Sequence, residues 1–260
     1  MLRPRIIPCL LVKNGGLVKT VGFDKPKYVG DPINAVRIFN EKEVDELIVV
    51  DIDATTHNRE PNYTMIANLA TECRMPLCYG GGVKTPEQVQ KIIGLGVEKV
   101  ALSAAAVSTP SLIAKAAEWV GSQSIVVVMD VKKAGLLRRF EVFTHNGEKS
   151  TGLDPVAWAK QVEQLGAGEV VLNSIDRDGE MKGYDMELVE RVRQATTLPM
   201  TVLGGAGSLT HLEELIHRFG TIGAAAGSLF VFKGKYKAVL INYPSRAEKD
   251  ALFAKAVGYL

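Results

Sequence analysis

Short runs of apolar, largely β-branched residues recur eight times along the chain, and amphipathic stretches with helical spacing separate them. Runs that are apolar throughout are typical of parallel strands that are buried on both faces. Eight strand–helix units in about 250 residues predict an α/β fold, a (β/α)8 TIM barrel. An open doubly wound sheet is the rival, but its glycine fingerprint normally follows the first strand, whereas here glycine pairs follow the third and seventh. The predicted strands are 5–12, 46–54, 76–82, 99–107, 124–131, 169–176, 199–207 and 222–232.

Three of the intervening stretches show clear helix boundaries. They begin at Thr-Pro or Asp-Pro and end at Gly, which is the asymmetry expected of helix ends. We expect residues 1–260 to form one barrel domain, in which 245–260 is a C-terminal helix or tail. Trp119 and Trp158 fall on helical faces and are predicted to be core residues. The three predicted helices are 85–96, 110–121 and 155–166.

The two halves of the chain resemble each other at a constant offset. Each half contains a strand ending in Ile-Asp, a helix, a proline, a strand ending in Gly-Gly, and an Ala/Ser-rich strand. A repeat at one offset over three landmarks predicts a two-fold half-barrel duplication. The landmark pairs, each 123 residues apart, are Asp53 with Asp176, Pro76 with Pro199, and Gly81 with Gly204.

Charge and cysteine content exclude several classes of protein. The 31 Lys and Arg residues against 29 Asp and Glu give a net charge of +2 without a basic run, so a nucleic-acid surface is not indicated. No run approaches the roughly eighteen apolar residues of a membrane helix. Three cysteines without zinc-type spacing predict neither a disulfide framework nor a metal site, and the four histidines share no spacing with acidic partners. We therefore expect a reduced, cytoplasmic protein with no metal and no cofactor, in which Cys9 and Cys78 are buried in strands.

Two glycine-rich turns each end a predicted strand and precede a helix, at 80–82 and 204–207. Glycine there lets backbone N–H groups approach an anion at a helix N-terminus, although a tight βα turn is the alternative interpretation. Two such turns on opposite strands of a barrel predict a substrate with a phosphate at each end. Small residues after the next strands complete each site, so the predicted phosphate-binding residues are Gly81, Gly82, Ser103, Gly204, Gly205, Gly227 and Ser228.

Aspartates stand at the ends of predicted strands, where barrel enzymes place their chemistry. A carboxylate there can act as a general acid or base when its surroundings bring its pKa toward neutrality. Asp130 directly follows an apolar run and is the predicted catalytic residue, and Asp176 is assigned to the substrate site. For Asp178 a helix N-cap or loop ion pair is the favoured interpretation. Asp51 and Asp53 complete the set.

Four charged residues stand one step before apolar runs, at the opposite, N-terminal rim of the predicted barrel. Two of each sign could meet as a ring around the bottom opening. Charges at strand starts usually serve to solvate the base of a barrel, and on the residues alone we favour that structural interpretation. The four are Arg5, Glu46, Lys99 and Glu169.

Ordered motifs between residues 3 and 232 resemble the cyclase subunit of imidazole glycerol phosphate synthase, a (β/α)8 barrel of histidine biosynthesis. They are RIIPCL with VK at the start, GDP (30–32), DEL (45–47), GGGV (80–83), VGSQ (120–123), the strand ending in Asp130, EVFTHNG (141–147), SIDRDG (174–179), KGYD (182–185) and LGGAG (203–207).

The resemblance implies a partner and a reaction. In that family a glutaminase docks on the N-terminal face of the barrel and releases ammonia from glutamine. The ammonia crosses the barrel to a bisphosphorylated ribulosyl substrate, which a lyase and cyclisation reaction converts to imidazole glycerol phosphate. By the same resemblance, the two glycine turns match the family's phosphate sites, and the four rim charges match its gate at the ammonia entrance.

One catalytic position departs from the family pattern. The family has Cys-Leu-Asp-Val-Lys on strand one, whereas this chain has CLLVK at 9–13, and Asp130 occupies the strand-five position. Leu11 cannot exchange a proton, and the loss of an acid or base typically costs about 10²–10⁴-fold in rate. Leu203 also stands where the family commonly has Ser, and Ser103-Ala104 replaces an Asn-Thr type pair.

The segments 10–20 and 230–245 resemble one branch of the family. That resemblance implies a glutaminase partner and a third, ATP-using amidotransferase, which together build an acetamidino group on a sugar of bacterial surface polysaccharides. Three hypotheses follow. The chain is an ammonia-handling barrel for amidine formation in lipopolysaccharide or surface-glycan synthesis, a working histidine-pathway cyclase in which Asp130 acts with help from Asp51 or Asp176, or a non-catalytic activator of the glutaminase.

Overall fold

Eight parallel strands close into a barrel in the computed structural model, which describes residues 3–257. The first barrel strand pairs in parallel with both the second and the eighth, and the fifth pairs with the sixth, so the barrel has no open edge. The predicted (β/α)8 fold is confirmed. With all strands numbered in chain order, the barrel strands are β1 (Arg5–Lys13), β4 (Leu47–Asp51), β5 (Leu77–Gly80), β6 (Lys99–Leu102), β7 (Ile125–Ala134), β10 (Glu169–Ser174), β11 (Met200–Leu203) and β12 (Gly223–Ala226).

Three antiparallel hairpins follow the first, fifth and eighth barrel strands, and the sequence analysis did not predict them. Four of their six strands are two residues long or largely exposed, and the other two, Gly16–Val21 and Arg139–Thr144, are mostly buried but interrupted by polar residues. They therefore lack the apolar runs by which the barrel strands are recognised. They add polypeptide to the carboxyl end of the barrel, where the loops of such folds form the active site. Their strands are β2 (Gly16–Val21), β3 (Asp24–Gly30), β8 (Arg139–Thr144), β9 (Lys149–Ser150), β13 (Phe232–Lys233) and β14 (Ala238–Val239).

Helices connect the barrel strands and cover the outside of the barrel. The three helices predicted at 85–96, 110–121 and 155–166 are confirmed, and Thr85 caps the first of them with a reciprocal capping box to Gln88. Within residues 3–257, no helix combines the length and hydropathy that a membrane crossing needs. The helices are α1 (Pro32–Glu41), α2 (Tyr63–Glu72), α3 (Pro86–Gly94), α4 (Ala104–Ser108), α5 (Ser111–Val120), α6 (Pro155–Gln164), α7 (Met186–Arg193), α8 (Leu209–Phe219), α9 (Ser228–Val231) and α10 (Arg246–Val257).

Two of the predicted strands, 99–107 and 222–232, are too long. Strand β6 ends at Leu102 and strand β12 at Ala226, and the short helices α4 and α9 follow them. Alanine and serine lack the β-branched bulk that favours strands, and alanine is the best helix former. Both short helices therefore begin at the mouth of the barrel, directly after strands four and eight.

The apolar core has two parts, one between the barrel and its helices and a smaller one inside the barrel. Trp158 is 2% exposed and belongs to the outer core, as predicted. Trp119 is 46% exposed, so its core assignment is wrong. The buried stripe of α5 runs through Ile113 and Ala116, and Trp119 lies at the edge of that stripe in the last turn. The inner core consists of Ile7, Cys9, Ile48, Cys78, Ala101, Val126, Val171 and Ala225.

Helix α10 packs at the N-terminal rim of the barrel, within the segment 245–260 where a helix or tail was expected. Leu252 and Phe253 are buried, and Lys249 Nζ lies 2.7 Å from Asp45 Oδ1, directly before β4. Residues 258–260 of the expected segment lie outside the described residues. The helix therefore contributes to the same end of the barrel as the four rim charges.

Candidate active site at the barrel mouth and a charged ring below it

The four rim charges form a closed ring across the bottom of the barrel. Arg5 pairs with Glu46 and, at 2.7 Å from Nη2 to Oε1, with Glu169. Lys99 Nζ lies 2.8 Å from a carboxylate oxygen of each glutamate. Thr201 Oγ1 donates a further hydrogen bond to Glu169. Each cation therefore bridges both anions. Charges that served only to solvate the base of the barrel would not need to pair in this way.

The ring keeps its charges despite their burial. Burial alone would raise the pKa of Glu169, but the hydrogen bonds and charges of Arg5 and Lys99 lower it to about 2. Burial likewise favours the neutral amine of Lys99, yet the two glutamates raise its pKa above the ordinary value. Glu46 and Glu169 are 123 residues apart, the same offset as the sequence landmarks, so they occupy equivalent places in the two half-barrels.

A cavity of about 150 Å³ opens at the other, carboxyl end of the barrel. It is lined by most of the predicted site residues, from all eight barrel strands or the loops that follow them. The cavity therefore brings together residues that are far apart in sequence. The predicted residues that line it are Leu11, Gly81, Gly82, Ser103, Asp130, Gly204, Gly205, Gly227 and Ser228.

Asp130 lies at the mouth end of the barrel interior, at the centre of a small polar group. Asn173 Nδ2 donates a 2.8 Å hydrogen bond to Asp130 Oδ1, and Ser103 Oγ lies 3.5 Å from Oδ2. Burial raises the pKa of Asp130 to about 6, opposed by the Asn173 hydrogen bond and assisted by the charge of Asp178. A carboxyl group with such a pKa can both give and take a proton near neutral pH.

Two strands contribute apolar side chains to the cavity that contains Asp130, one of them at the strand-one position where the family resemblance implies a second carboxylate. Leu11 lines the cavity from strand one, and Leu203 lines it from strand seven. Together with Val50 and Val128 they pack on the inner core of the barrel. The apolar lining thus continues from the barrel interior up to the level of the Asp130 carboxylate.

The two glycine turns are equivalent in three dimensions. A Cβ on Gly81 would stand 2.5 Å from the carbonyl oxygen of Asp51, and a Cβ on Gly204 would stand 2.5 Å from that of Ser174. Asp51 and Ser174 are again 123 residues apart. Both glycines have positive φ, so each turn brings backbone against the end of the preceding strand, as an anion-binding turn requires.

Lys19 approaches the second of these sites, although the sequence analysis did not single it out. Its Nζ donates a 2.5 Å hydrogen bond to the carbonyl oxygen of Cys9, and a Cβ on Gly227 would stand 2.5 Å from Nζ. Burial lowers the pKa of Lys19. Lys19 lies on strand β2, and the unrecognised hairpin explains why it was missed. The amine is placed to meet a negatively charged group at Gly227.

Three other aspartates hold loops rather than standing free in the cavity. Asp176 is exposed, is not among the residues that line the cavity and accepts a hydrogen bond from Lys133 N, so its assignment to the substrate site stays a prediction. Asp178 is not a helix N-cap: it lines the cavity and accepts hydrogen bonds from Thr20 Oγ1 and Phe23 N. Asp51 lines the cavity but is held by the Asp53 and Ala54 amides.

Asn173 is a site residue that sequence reasoning missed but could have found. It follows the apolar run Val170–Leu172 near the carboxyl end of β10, and it lies beside Asp130. Its Nδ2 is used by Asp130, whereas its buried Oδ1 has no partner among the described residues. A polar residue near the carboxyl end of a barrel strand therefore indicates a site residue as well as an aspartate there does.

Within residues 3–257, no three His, Cys, Asp or Glu side chains gather as a metal site.

Asp130→Asn is expected to stabilise the fold above pH 6, because the ionised carboxylate is disfavoured by burial. The raised pKa means that the folded state binds the proton more tightly than the unfolded state between about pH 4 and 6, so stability falls as pH rises through this window. We expect the free energy of unfolding of the variant to exceed that of the wild type by about 1–2 kcal/mol at pH 8, a value reduced because Asp130 is partly exposed. The difference should disappear toward pH 4. Urea unfolding at both pH values measures it, and equal gains at pH 4 and pH 8 would contradict burial as the cause.

Comparison with known proteins gives a consistent picture. The family model described as "Histidine biosynthesis protein" matches residues 5–237. A protein of Leptospira interrogans, named provisionally as imidazole glycerol phosphate synthase subunit HisF, is 57% identical over 97% of this chain and 100% of its own length. A Pseudomonas aeruginosa protein, named provisionally as subunit hisF2 of the same synthase, is 55% identical over 96% of this chain and 99% of its own. The Streptococcus mutans imidazole glycerol phosphate synthase subunit HisF is 40% identical over 88% of this chain and 91% of its own length.

Proposed function

The chain belongs to the histidine biosynthesis protein family, and from that membership we propose that it is a specialised barrel subunit of a glutamine amidotransferase complex. In this proposal a glutaminase docks on the N-terminal barrel face in the cytoplasm, and its ammonia passes through the barrel to an acceptor that is not the family's ribulosyl substrate. The family membership supports a cyclase-type subunit that works with a glutaminase. The choice of acceptor rests on the cavity.

Retention of the charged ring supports an ammonia entrance at the bottom of the barrel. Four buried or half-buried charges that satisfy one another are costly to assemble and contribute little net stability compared with an apolar layer. The residues of the ring, Arg5, Glu46, Lys99 and Glu169, also match the gate implied by the family resemblance. Above the ring the barrel interior is apolar, which suits neutral ammonia and excludes ammonium.

The observation that carries the proposal is the apolar side chain of Leu11 in the cavity with Asp130. A cyclase that moves two protons needs a partner for Asp130, and none of the nearby carboxyl groups is free to serve. Asp51 is held by two backbone amides, Asp178 accepts hydrogen bonds from Thr20 Oγ1 and Phe23 N, and Asp176 is exposed and does not line the cavity. Asp130 is thus left to act alone, which disfavours the alternative of a working histidine-pathway cyclase.

We propose formation of an acetamidino group on a sugar of lipopolysaccharide or another surface glycan as the reaction served. Replacing the amide oxygen of a sugar by nitrogen requires ammonia and an activating nucleotide, so a third, ATP-using amidotransferase belongs to the proposal. The two glycine turns and Lys19 support binding of a phosphorylated or sugar ligand at the mouth, where Gly81, Gly82, Ser103, Gly204, Gly205, Gly227 and Ser228 would contact it. The remaining alternative is a non-catalytic activator of the glutaminase.

Ammonia-dependent turnover of the bisphosphorylated ribulosyl substrate tests the proposal. We expect the purified chain to be at least about a hundredfold slower than the Streptococcus mutans HisF relative, because one of two proton-transfer groups is missing. Co-purification with a co-expressed glutaminase partner should be retained. Turnover within about tenfold of that control would contradict the specialised role and show that Asp130 suffices.

Two matched variants make this comparison sharper. Leu11→Asp restores a carboxylate in the cavity, and Leu11→Asn introduces a group of the same size that cannot exchange a proton. A rate for Leu11→Asp above that of Leu11→Asn identifies the carboxylate as the missing group. Equal rates would mean that the other cavity changes, such as Leu203, also prevent cyclisation. Glutaminase activation without amidine formation in the presence of ATP and the amidotransferase would favour the activator.

A further inference from the structure

Exposed apolar side chains are concentrated at the carboxyl end of the barrel. Nine large hydrophobic residues are exposed in the part of the chain that the structure describes, and seven of them lie on the three hairpins that follow β1, β7 and β12. Leu136 is fully exposed and Tyr236 is 91% exposed at two of the hairpin tips. The other two, Ile38 and Trp119, lie on α1 and α5 at the side of the barrel.

We call the hairpin tips at 21–28, 135–139 and 233–240 the rim surface, because contacts connect the three hairpins, two of them through the loop 175–182. Gly22 N donates to Asp178 O at 3.0 Å, which attaches the first hairpin to this loop. Lys133 N donates to Asp176 Oδ2 at 2.9 Å, which attaches the second. The third hairpin meets the first, since Lys27 Nζ lies 5.4 Å from the Phe232 ring centroid. The three hairpins are therefore connected to one another, and the first also reaches the cavity, which Phe23 lines.

The rim surface is strongly basic in a chain that is almost neutral overall. Its three segments contain seven Lys and Arg residues and one acidic residue, Asp24, whereas the whole chain carries a net charge of only +2. Apolar residues at the centre of a positively charged border are typical of an interface for a partner with an acidic face. Scattered exposed hydrophobic residues need no explanation, but a cluster of seven around one opening does.

We propose that the rim surface docks a protein with an acidic face, the ATP-using amidotransferase that consumes the ammonia. This inference rests on the proposed function, because it requires that ammonia leave the barrel at its mouth. Ammonia released into water at pH 7 is largely protonated and no longer a nucleophile, so the consuming site must close over the opening. Phe23 of the rim surface lines the cavity that contains Asp130, which makes the rim surface the place for such a closure.

Binding of the purified ATP-using amidotransferase encoded in the same gene cluster is the test, with the chain–glutaminase complex immobilised. Leu136→Ser with Leu137→Ser, and separately Tyr236→Ser, should each weaken binding by at least about tenfold, because exposed apolar anchors dominate interface affinity. Ile38→Ser and Trp119→Ser are the matched controls. They remove exposed hydrophobic residues of similar size from the side of the barrel and should leave the Kd unchanged.

Several outcomes would overturn the docking inference. These are a gene cluster that encodes no such enzyme, no binding by the wild-type complex, or equal binding by the rim and control variants. Binding of the rim surface to vesicles of phosphatidylglycerol and phosphatidylcholine, with the same sensitivity to Tyr236→Ser, would assign it to a membrane instead. Retained glutaminase activation in all variants shows that they fold. The proposed function is tested separately: efficient turnover of the ribulosyl substrate would contradict it, whether or not the rim surface binds the amidotransferase.

Discussion

Arg5→Met is expected to lower the free energy of unfolding by about 3–5 kcal/mol at pH 7, because it leaves buried charge unpaired. Methionine keeps most of the apolar stem but removes the guanidinium that pairs with Glu46 and Glu169. Lys99 alone then faces two carboxylates that are almost fully buried. Urea unfolding of the wild type and the variant at pH 7, followed by the same spectroscopic signal, measures the difference.

The pH dependence and a matched variant decide whether the ring is the cause. Although burial alone would raise the pKa of Glu169, Arg5 and Lys99 lower it to about 2, so its stabilising contribution is present above about pH 4.5 and is lost as pH falls toward 2. The deficit of Arg5→Met should shrink in that window. Arg3→Met removes an exposed pair with Asp250 and should cost at most about 1 kcal/mol. Equal losses for the two variants would contradict a cooperative buried ring.

Gly81→Ala should destabilise the fold by about 3 kcal/mol or more. The residue has φ +120°, a conformation that costs a residue with a side chain about 1–3 kcal/mol. The added Cβ would also stand 2.5 Å from the Asp51 carbonyl oxygen, and such overpacking costs a further 1–3 kcal/mol, roughly. Thermal and urea unfolding measure the loss, and affinity for inorganic phosphate at the cavity should fall in parallel.

Gly94→Ala is the control for this substitution. Gly94 ends helix α3 without a positive φ, and nothing lies within 4 Å of its added Cβ. Alanine there should leave stability unchanged or raise it by up to about 1 kcal/mol. A loss at Gly94 comparable to that at Gly81 would mean that glycine-to-alanine changes are poorly tolerated for a reason other than the close approach at the turn.

The barrel was predictable because its strands are buried on both faces and its helices carry their own boundary signals. The duplication was predictable because landmarks such as Gly81 and Gly204 make the same close backbone contact in each half, which requires glycine at both positions. Strand ends were not, because alanine and serine after Leu102 fit either a strand or a helix. The three hairpins escaped notice because their strands are short, exposed or interrupted by polar residues such as Lys19 and Glu141, and so form no apolar run.

A site residue could be predicted where it stands out next to an apolar run that predicts a barrel strand, either as a carboxylate or as a departure from the family motif. Asp130 and Leu11 lie in the carboxyl-side halves of β7 and β1, which bring them to the cavity, although both strands continue beyond them to Ala134 and Lys13. Asp176 and Asp178 show the limit of that argument. They are two residues apart in one loop, yet one is exposed and the other lines the cavity, because the turn Ile175–Arg177 rotates them to opposite sides. Lys19 reaches the site only because the first hairpin folds back over the barrel mouth, and that hairpin was not predicted from the sequence.

The ring of Arg5, Glu46, Lys99 and Glu169 carries two positive and two negative charges, so its net charge is zero. An approaching cation finds both carboxylates already occupied and must displace a bound side chain to gain a partner. A small neutral molecule has no such competition and needs only a gap between the pairs. In the proposed complex the ring would therefore act as a filter on protonation state, one that selects by charge rather than by diameter.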